Sequence, residues 1–292
     1  MRRLAVLTTR PDLEVHRELA EAAARRGHRL DVLDACTLVA RSAPQGVVAA
    51  ATGAEPSEIA AVLPRVGNWR PDSTLAILAA LRASGVASLN SPAAIRRGRD
   101  HWRTAAALAA AAVPHPVTLA GAEPEALAAA AGRACGFPCV VKQRRSRQGV
   151  GVVLCPDPAA LEAVLDALWR VGDEVVVQRF IAPGGVSRRV LVLDGEALGA
   201  AEHRARAGEF RTNAARGADV RRVEVGSLGA LAVAACAAVG LDFAGVDLLP
   251  DGERWVVGEV NPSPGWAHFR AATGVAVADR LVEALLRRGD DA

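Results

Sequence analysis

Gly245-Val246-Asp247-Leu248-Leu249-Pro250-Asp251-Gly252-Glu253-Arg254-Trp255-Val256-Val257-Gly258-Glu259-Val260-Asn261-Pro262-Ser263-Pro264-Gly265 is the stretch that decides how this chain is read. Its own chemistry makes it a hairpin: an apolar run, a Pro-Asp-Gly turn and a second β-branched run. Asp247, Glu259 and Asn261 are the polar residues in or just beside those runs, and all three offer the oxygen donors that hard cations such as Mg²⁺ prefer. Glu259 and Asn261, two apart on one strand, share a face. Whether Asp247 joins them depends on the turn. A two-residue loop of Asp251 and Gly252 would pair Asp247 with Val256 and send it to the other face. An odd loop over 251–253, with an αL glycine at a bulge, brings it to the side of Val257, Glu259 and Asn261, and this odd loop is predicted. Taken alone, the same residues read equally well as solvated strand-end charges and a turn before Pro262.

Working outward, the chain has 292 residues, half of them apolar, enough for one large core or two or three smaller ones. Residues 104–113 are apolar but alanine-rich and far short of the roughly 20 residues of a membrane span. The apolar run at 4–7 is too short for a signal peptide, so a cytoplasmic location without membrane association is expected. The cysteines, Cys36, Cys135, Cys139, Cys155 and Cys236, are odd in number and scattered through apolar runs, as reduced buried thiols are. A net charge of +3 gives no general case for a nucleic-acid partner. Two local clusters, Lys142 with Arg144, Arg145 and Arg147, and Arg204 with Arg206, Arg211 and Arg216, are suited to phosphates or an acidic substrate.

In chain order, residues 4–8 read as a buried strand, 11–26 as a helix stopped by Gly27, and 29–33 as a second strand, a βαβ opening. Thr8-Thr9-Arg10-Pro11 has no glycine to cradle a pyrophosphate, which excludes a dinucleotide loop. Strand 60–66, helix 71–84 and strand 86–89 complete the first domain. Pro92 starts a helix expected to run through Arg99-Asp100-His101-Trp102 to residue 112. A helix at 123–135 and a strand at 139–142 lead to the basic loop 143–151, whose Gln148-Gly149-Val150-Gly151 tail lets backbone approach phosphates closely; a strand at 152–155 returns. Helix 159–169 and strands 174–180, 189–193 and 197–201 follow. The polar loop 202–217 and helix 228–239 precede the hairpin, and an amphipathic helix at 275–288 closes the chain.

These motifs, in this order, resemble the ATP-grasp ligases and within them the RimK-like α-L-glutamate ligases. The resemblance spans nearly the whole chain: Pro64-Arg65-Val66-Gly67, Asn90-Ser91, Arg99-Asp100, Val140-Val141-Lys142, Gln148-Gly149-Val150-Gly151-Val152, Val177-Gln178, Arg189, Gly208-Glu209-Phe210-Arg211-Thr212-Asn213 with Arg216-Gly217, Ala244-Gly245-Val246-Asp247 and Glu259-Val260-Asn261. It implies an ATP-grasp fold of mixed α/β and α+β type: an N-terminal α/β pre-ATP-grasp domain (1–90), a central lid (91–175) and a C-terminal antiparallel-sheet subdomain with the metal site (176–292). It also implies ATP-dependent carboxylate activation through an acyl phosphate, followed by attack of an amine. ATP contacts fall on Lys142, Gln148, Gly149, Gly151, Gln178, Arg179, Phe180, Ile181, Ser187, Arg189, Arg211, Thr212 and Asn213. Arg211 and Asn213 take the catalytic role of stabilising the transferring phosphoryl group, and Asp247, Glu259 and Asn261 hold Mg²⁺, with Mn²⁺ as a substitute. The partners implied are an amino-acid donor and a carboxylate acceptor on a protein terminus, peptide or small metabolite; a homo-oligomer is compatible with the sequence.

Departures from the family pattern are local. His101 stands where the family has Lys, Arg179 where it has Glu and Ser187 where it has Asp, and residues 143–147 are more basic than usual. They touch nucleotide contacts and leave the metal triad whole, which favours an active enzyme. A dipeptide or cofactor-tail ligase, and a non-catalytic nucleotide-binding regulator, are the alternative readings. Among the histidines, His101 and His203 are candidates for phosphate or substrate contact and His268 a weaker one, whereas His16, His28 and His115 read as structural.

Overall fold

Local sequence builds the first strand directly: in β1 (Arg3–Thr8) Leu4, Ala5, Val6 and Leu7 are all at 0% exposure, as expected of a strand covered on both faces. The computed structural model describes residues 1–51, 58–145, 151–172, 174–212 and 217–290. The chain divides into two compact units, one of Met1–Ile95, Leu241–Phe243 and Ser263–Ala292, the other of Arg96–Gly240 and Ala244–Pro262.

In the first unit, α1 (Glu14–Arg25) buries Val15, Leu19, Ala22 and Ala23, a stripe at helical spacing. β2 (Arg29–Asp34) follows, then a hairpin of β3 (Leu38–Ala43) and β4 (Gly46–Ala51) that the sequence reading does not anticipate. β5 (Ile59–Arg65), α2 (Pro71–Ala83) with Pro71 at its first position, and β6 (Ala87–Ser88) complete a parallel sheet of order β2-β1-β5-β6. The continuous helix expected from Pro92 is two helices: α3 (Pro92–Gly98) ends, and α4 (His101–Ala110), in the second unit, begins afresh. The cause is Asp100, whose extended backbone and side chain accepting from Arg103 N at 3.0 Å make it an N-cap.

In the second unit, β7 (Thr118–Leu119), α5 (Pro124–Ala134), β8 (Cys139–Gln143), β9 (Val152–Cys155), α6 (Pro158–Arg170) and β10 (Val175–Arg179) form an antiparallel sheet of order β7-β10-β8-β9. Leu127, Ala131, Leu161 and Leu165 of its two helices pack with Val141 and Val177 of the sheet. β11 (Val186–Leu193), β12 (Glu196–Arg204), β13 (Asp219–Val223), β14 (Phe243–Asp251) and β15 (Arg254–Asn261) form a second sheet, order β13-β12-β11-β14-β15, against which α7 (Gly226–Val239) packs. β12 extends through Arg204, so the polar segment expected as loop from 202 begins as strand.

The chain then returns to the first unit as α8 (Ala267–Thr273) and α9 (Val277–Asp290), and α9 packs on α1 and β5. Arg26 is ion-paired to Asp279 and Glu283 of α9, each at 2.5 Å. Asn90, fully buried with φ +78°, ties the returning segment: it accepts from Asp242 N at 2.8 Å and Phe243 N at 3.0 Å and donates to Phe243 O at 2.7 Å. Asparagine is among the few side chains that tolerate this backbone region. No helix among the described residues is long and apolar enough to cross a membrane.

Asn90→Ala removes three hydrogen bonds, two of them buried, and strains the backbone, so a loss of about 3 kcal/mol is expected in urea unfolding. A midpoint unchanged from wild type would show that Asn90 does not hold this unit together.

Candidate functional site

The β14–β15 hairpin pairs Asp251 with Arg254, leaving a two-residue loop of Gly252 and Glu253. The predicted odd loop is therefore wrong, yet Asp247 still stands directly opposite Glu259, because the extra residue sits in the strand: the register shifts between Asp247 and Leu248, opposite Gly258. A Cβ on Gly258 would lie 2.8 Å from Leu249 Cδ1, so glycine is needed at the bulge. Beyond it, Val257 pairs with Leu248 and goes into the core at 1% exposure, not to the carboxylate face as expected. Asn261 pairs with Gly245, on the Glu259 side of β15.

Two cations meet this face. Arg189 of β11 grips Asp247 with both arms of its fork, Nε to Oδ1 at 2.7 Å and Nη2 to Oδ2 at 2.6 Å. Lys142 of β8 donates from Nζ to Gln178 Oε1 at 2.7 Å, and Gln178 Nε2 donates to Thr118 Oγ1 at 2.8 Å, which fixes the carboxamide's orientation. Burial presses the Lys142 pKa down, while the Glu259 and Asp247 carboxylates pull it back. At the N-terminus of α4, His101 is pushed down to about 3, first by burial and then by the Lys142 charge, so its imidazole is neutral.

His101, Lys142, Gln178, Asp247 and Glu259 line one cleft that opens to solvent. Of the sequence-expected residues, Lys142, Gln178, Arg179, Phe180, Ile181, Ser187, Arg211, Thr212, Asp247 and Glu259 line it. Arg189 acts on it through Asp247. Gly151, at φ +69°, closes the β8–β9 turn, where a Cβ would overlap the Gln143 carboxamide. Gln148, Gly149 and Asn213 lie outside the described residues. Phe210, Leu249, Val140 and Val152 also line the cleft and were missed. Nothing in an apolar residue's type distinguishes a cleft wall from a core; the glycine interrupting the run Val256-Val257-Gly258-Glu259 was a legible signal of the bulge.

Several basic residues suited by sequence to phosphate are committed to carboxylates. Arg144 is ion-paired with Asp100 and Glu174, each at 2.8 Å, and Arg204 joins Arg188 and Arg221 around the nearly buried Glu202. Arg211 donates Nε and Nη2 to Glu209 at 2.8 and 2.7 Å. Arg179 forks onto Asp251, and Ser187 Oγ is 2.6 Å from Thr212 Oγ1. Phe180 and Phe210 meet edge to face at 6.1 Å. His203 is buried in β12 and does not line the cleft, and His268 is exposed on α8.

A RimK-like ATP-grasp domain model matches residues 98–285, and a RimK pre-ATP-grasp domain model matches residues 2–95. A relative from Serratia proteamaculans, named a probable alpha-L-glutamate ligase, is 33% identical over 289 residues, covering 98% of this chain and 96% of its own. The RimK domain protein ATP-grasp of Sphaerobacter thermophilus superposes with a TM-score of 0.75 at 24% identity, covering 97% and 99% of the two chains. The ATP-grasp ligase PsnB, solved with minimal precursor, Mg and ADP, gives a TM-score of 0.72 at 20% identity, with 98% of each chain covered.

Gly258→Ala is expected to destabilise the protein by about 1–3 kcal/mol, read by urea unfolding, because Leu249 or the bulge must move; an unaffected midpoint would rule out the close-approach argument. For His101, the unfolded state takes up a proton below about pH 6.5 that the folded state refuses until about pH 3. Its contribution to stability is therefore full above that upper value and declines as pH falls. Its ring NMR shifts should stay constant from about pH 8 to about pH 5; titration in that window would place the imidazole in solvent.

Proposed function

Because the chain belongs to the RimK-like ATP-grasp family of ATP-dependent carboxylate–amine ligases, we propose that it joins an amino acid, glutamate first among candidates, to a carboxylate on a peptide, protein terminus or small metabolite. What carries this reading is the face-to-face pairing of Asp247 and Glu259 beside Lys142 in one cleft. Two carboxylates and the Asn261 amide on one side of a hairpin form the hard oxygen donor set that suits Mg²⁺. When bound, the ion would neutralise phosphate charge as it develops. Mn²⁺ would satisfy the same donors.

The chain's own groups take the remaining roles. Lys142, half-buried and directed by Gln178, is suited to a phosphate oxygen, and the apolar wall of Val140, Val152, Ile181 and Leu249 to a flat base. Arg179 ends β10 and Phe180 follows it, where backbone groups can address the base edge. Ser187, Thr212 and Gly151 would border the nucleotide, and Gln148 and Gly149, outside the described residues, are proposed as further contacts to it. Arg211 would leave Glu209 for the transferring phosphoryl group, and the same role is proposed for Asn213, which lies outside the described residues. In the reaction a substrate carboxylate oxygen attacks the terminal phosphorus of ATP and ADP departs. The amine then attacks the acyl carbon, phosphate departs and an amide forms. A peptide acceptor is favoured by the structural likeness to the ATP-grasp ligase PsnB, which has been solved with its precursor peptide.

Purified protein with Mg-ATP and pooled amino acids and peptides is expected to release ADP in an acceptor-dependent manner, and Glu259→Gln to lower that rate at least about a hundredfold. Undiminished turnover in the variant would locate the chemistry elsewhere.

A further inference from the structure

Arg65 ends β5 at the C-terminal edge of the parallel sheet β2-β1-β5-β6. In this order the chain leaves β1 toward one edge and β5 toward the other, so the loops after these two strands diverge, the general situation in which α/β sheets open a ligand crevice. The two loops are in contact at their base: a Cβ on Gly67 would lie 3.4 Å from Thr9 Oγ1.

Arg65 is only 9% exposed. Its Nη1 donates to Pro264 O, and its guanidinium carbon lies 4.7 Å from the Trp266 ring centroid. Its Nε is buried without a hydrogen-bond partner, and among the described residues no carboxylate pairs with it. Glu18 of the same unit is held instead by Trp266 Nε1 at 3.0 Å and Arg270 at 3.1 Å. An uncompensated buried charge is expensive, and burial alone presses this guanidinium down to about 10. His16, 1% exposed, feels the Arg65 charge; its Nδ1 donates to Pro11 O at 3.0 Å, and its Nε2 is also buried without a partner. Along the loop after β5, Trp69 is 63% exposed and Arg70 is held at φ +45°, with its guanidinium 5.2 Å from the Trp69 ring centroid. Strain of this kind in a non-glycine residue gathers at ligand sites.

We propose that the end of the sheet between the loops after β1 and β5 is a carboxylate-binding site in which Arg65 receives the α-carboxylate of an amino acid or the terminal carboxylate of a peptide. The assignment deepens the ligase reading and rests on it for the identity of the ligand class. A single guanidinium fork on an aromatic face matches a planar monoanion. Phosphate is disfavoured because Thr8-Thr9-Arg10-Pro11 offers no glycine for close backbone approach.

The test is thermal shift of the full chain with each standard amino acid, with the tripeptide Ala-Ala-Glu, and with the α-carboxamide of each. At least one carboxylate probe raises Tm, and its carboxamide requires about a hundredfold higher concentration. The amino-acid and peptide arms separate the two sources. Arg65→Lys, which keeps the charge but not the fork, weakens the active probe at least about tenfold while Mg-ATP still raises Tm as in wild type. The proposal is overturned if no carboxylate probe shifts the wild type, if acid and amide act alike, or if Arg65→Lys responds as wild type does, which would leave Arg65 a staple for the Pro264 loop. Absence of any Mg-ATP effect or ADP release in the wild type would strike the ligase reading instead, since the Arg65-dependent shift needs no turnover.

Discussion

Asp247 and Glu259 face each other across adjacent strands, an arrangement in which two like charges repel. Much of the second unit is arranged around tolerating it. β11 brings the Arg189 fork onto Asp247, and β8 brings Lys142 to the same cleft. Lys142 is directed by Gln178, which is fixed in turn by Thr118 of the neighbouring strand. Both sheets of the unit thus contribute to one charge balance, and a polyphosphate with its cation is the kind of guest that can enter by exchanging with groups already present.

An arginine-rich chain invites the inference that every basic cluster binds an anion, but pairing decides which ones can. Glu202 alone engages Arg188, Arg204 and Arg221, while Asp100 combines two tasks, capping α4 and holding Arg144. Burial alone would raise the Asp100 carboxyl pKa, and the Arg144 hydrogen bonds with the Arg103 amide bring it below the ordinary range. Arg65 is different in kind: it is buried, stacked on Trp266 and has no counter-ion among the described residues. That contrast, rather than its place in a basic stretch, singles it out.

Neutral His101 makes a related point. A second positive charge in the cleft that Lys142 lines would have to be solvated or paired; an uncharged imidazole shares that lining at lower electrostatic cost. The substitutions at Arg179 and Ser187 are similarly absorbed by local partners, Asp251 and Thr212.

The sequence by itself determined most of the elements and their type. Buried β-branched and aliphatic runs such as 4–7 specify strands, Gly27 and Gly240 stop helices, and the spacing of Glu259 and Asn261 puts them on one face. The order of the motifs was enough to indicate the family and most of the residues that line the cleft. Tertiary structure decided what local chemistry leaves open. It placed the odd residue of the hairpin at Gly258 instead of in the turn, split the expected helix at Asp100, and added the β3–β4 hairpin. It also chose which carboxylate each arginine grips. The physical reason is range: periodicity, caps and turns are set by neighbours a few residues apart. Register, ion pairing and the isolation of Arg65 depend on partners tens to hundreds of positions away, whose geometry exists only once the chain has folded.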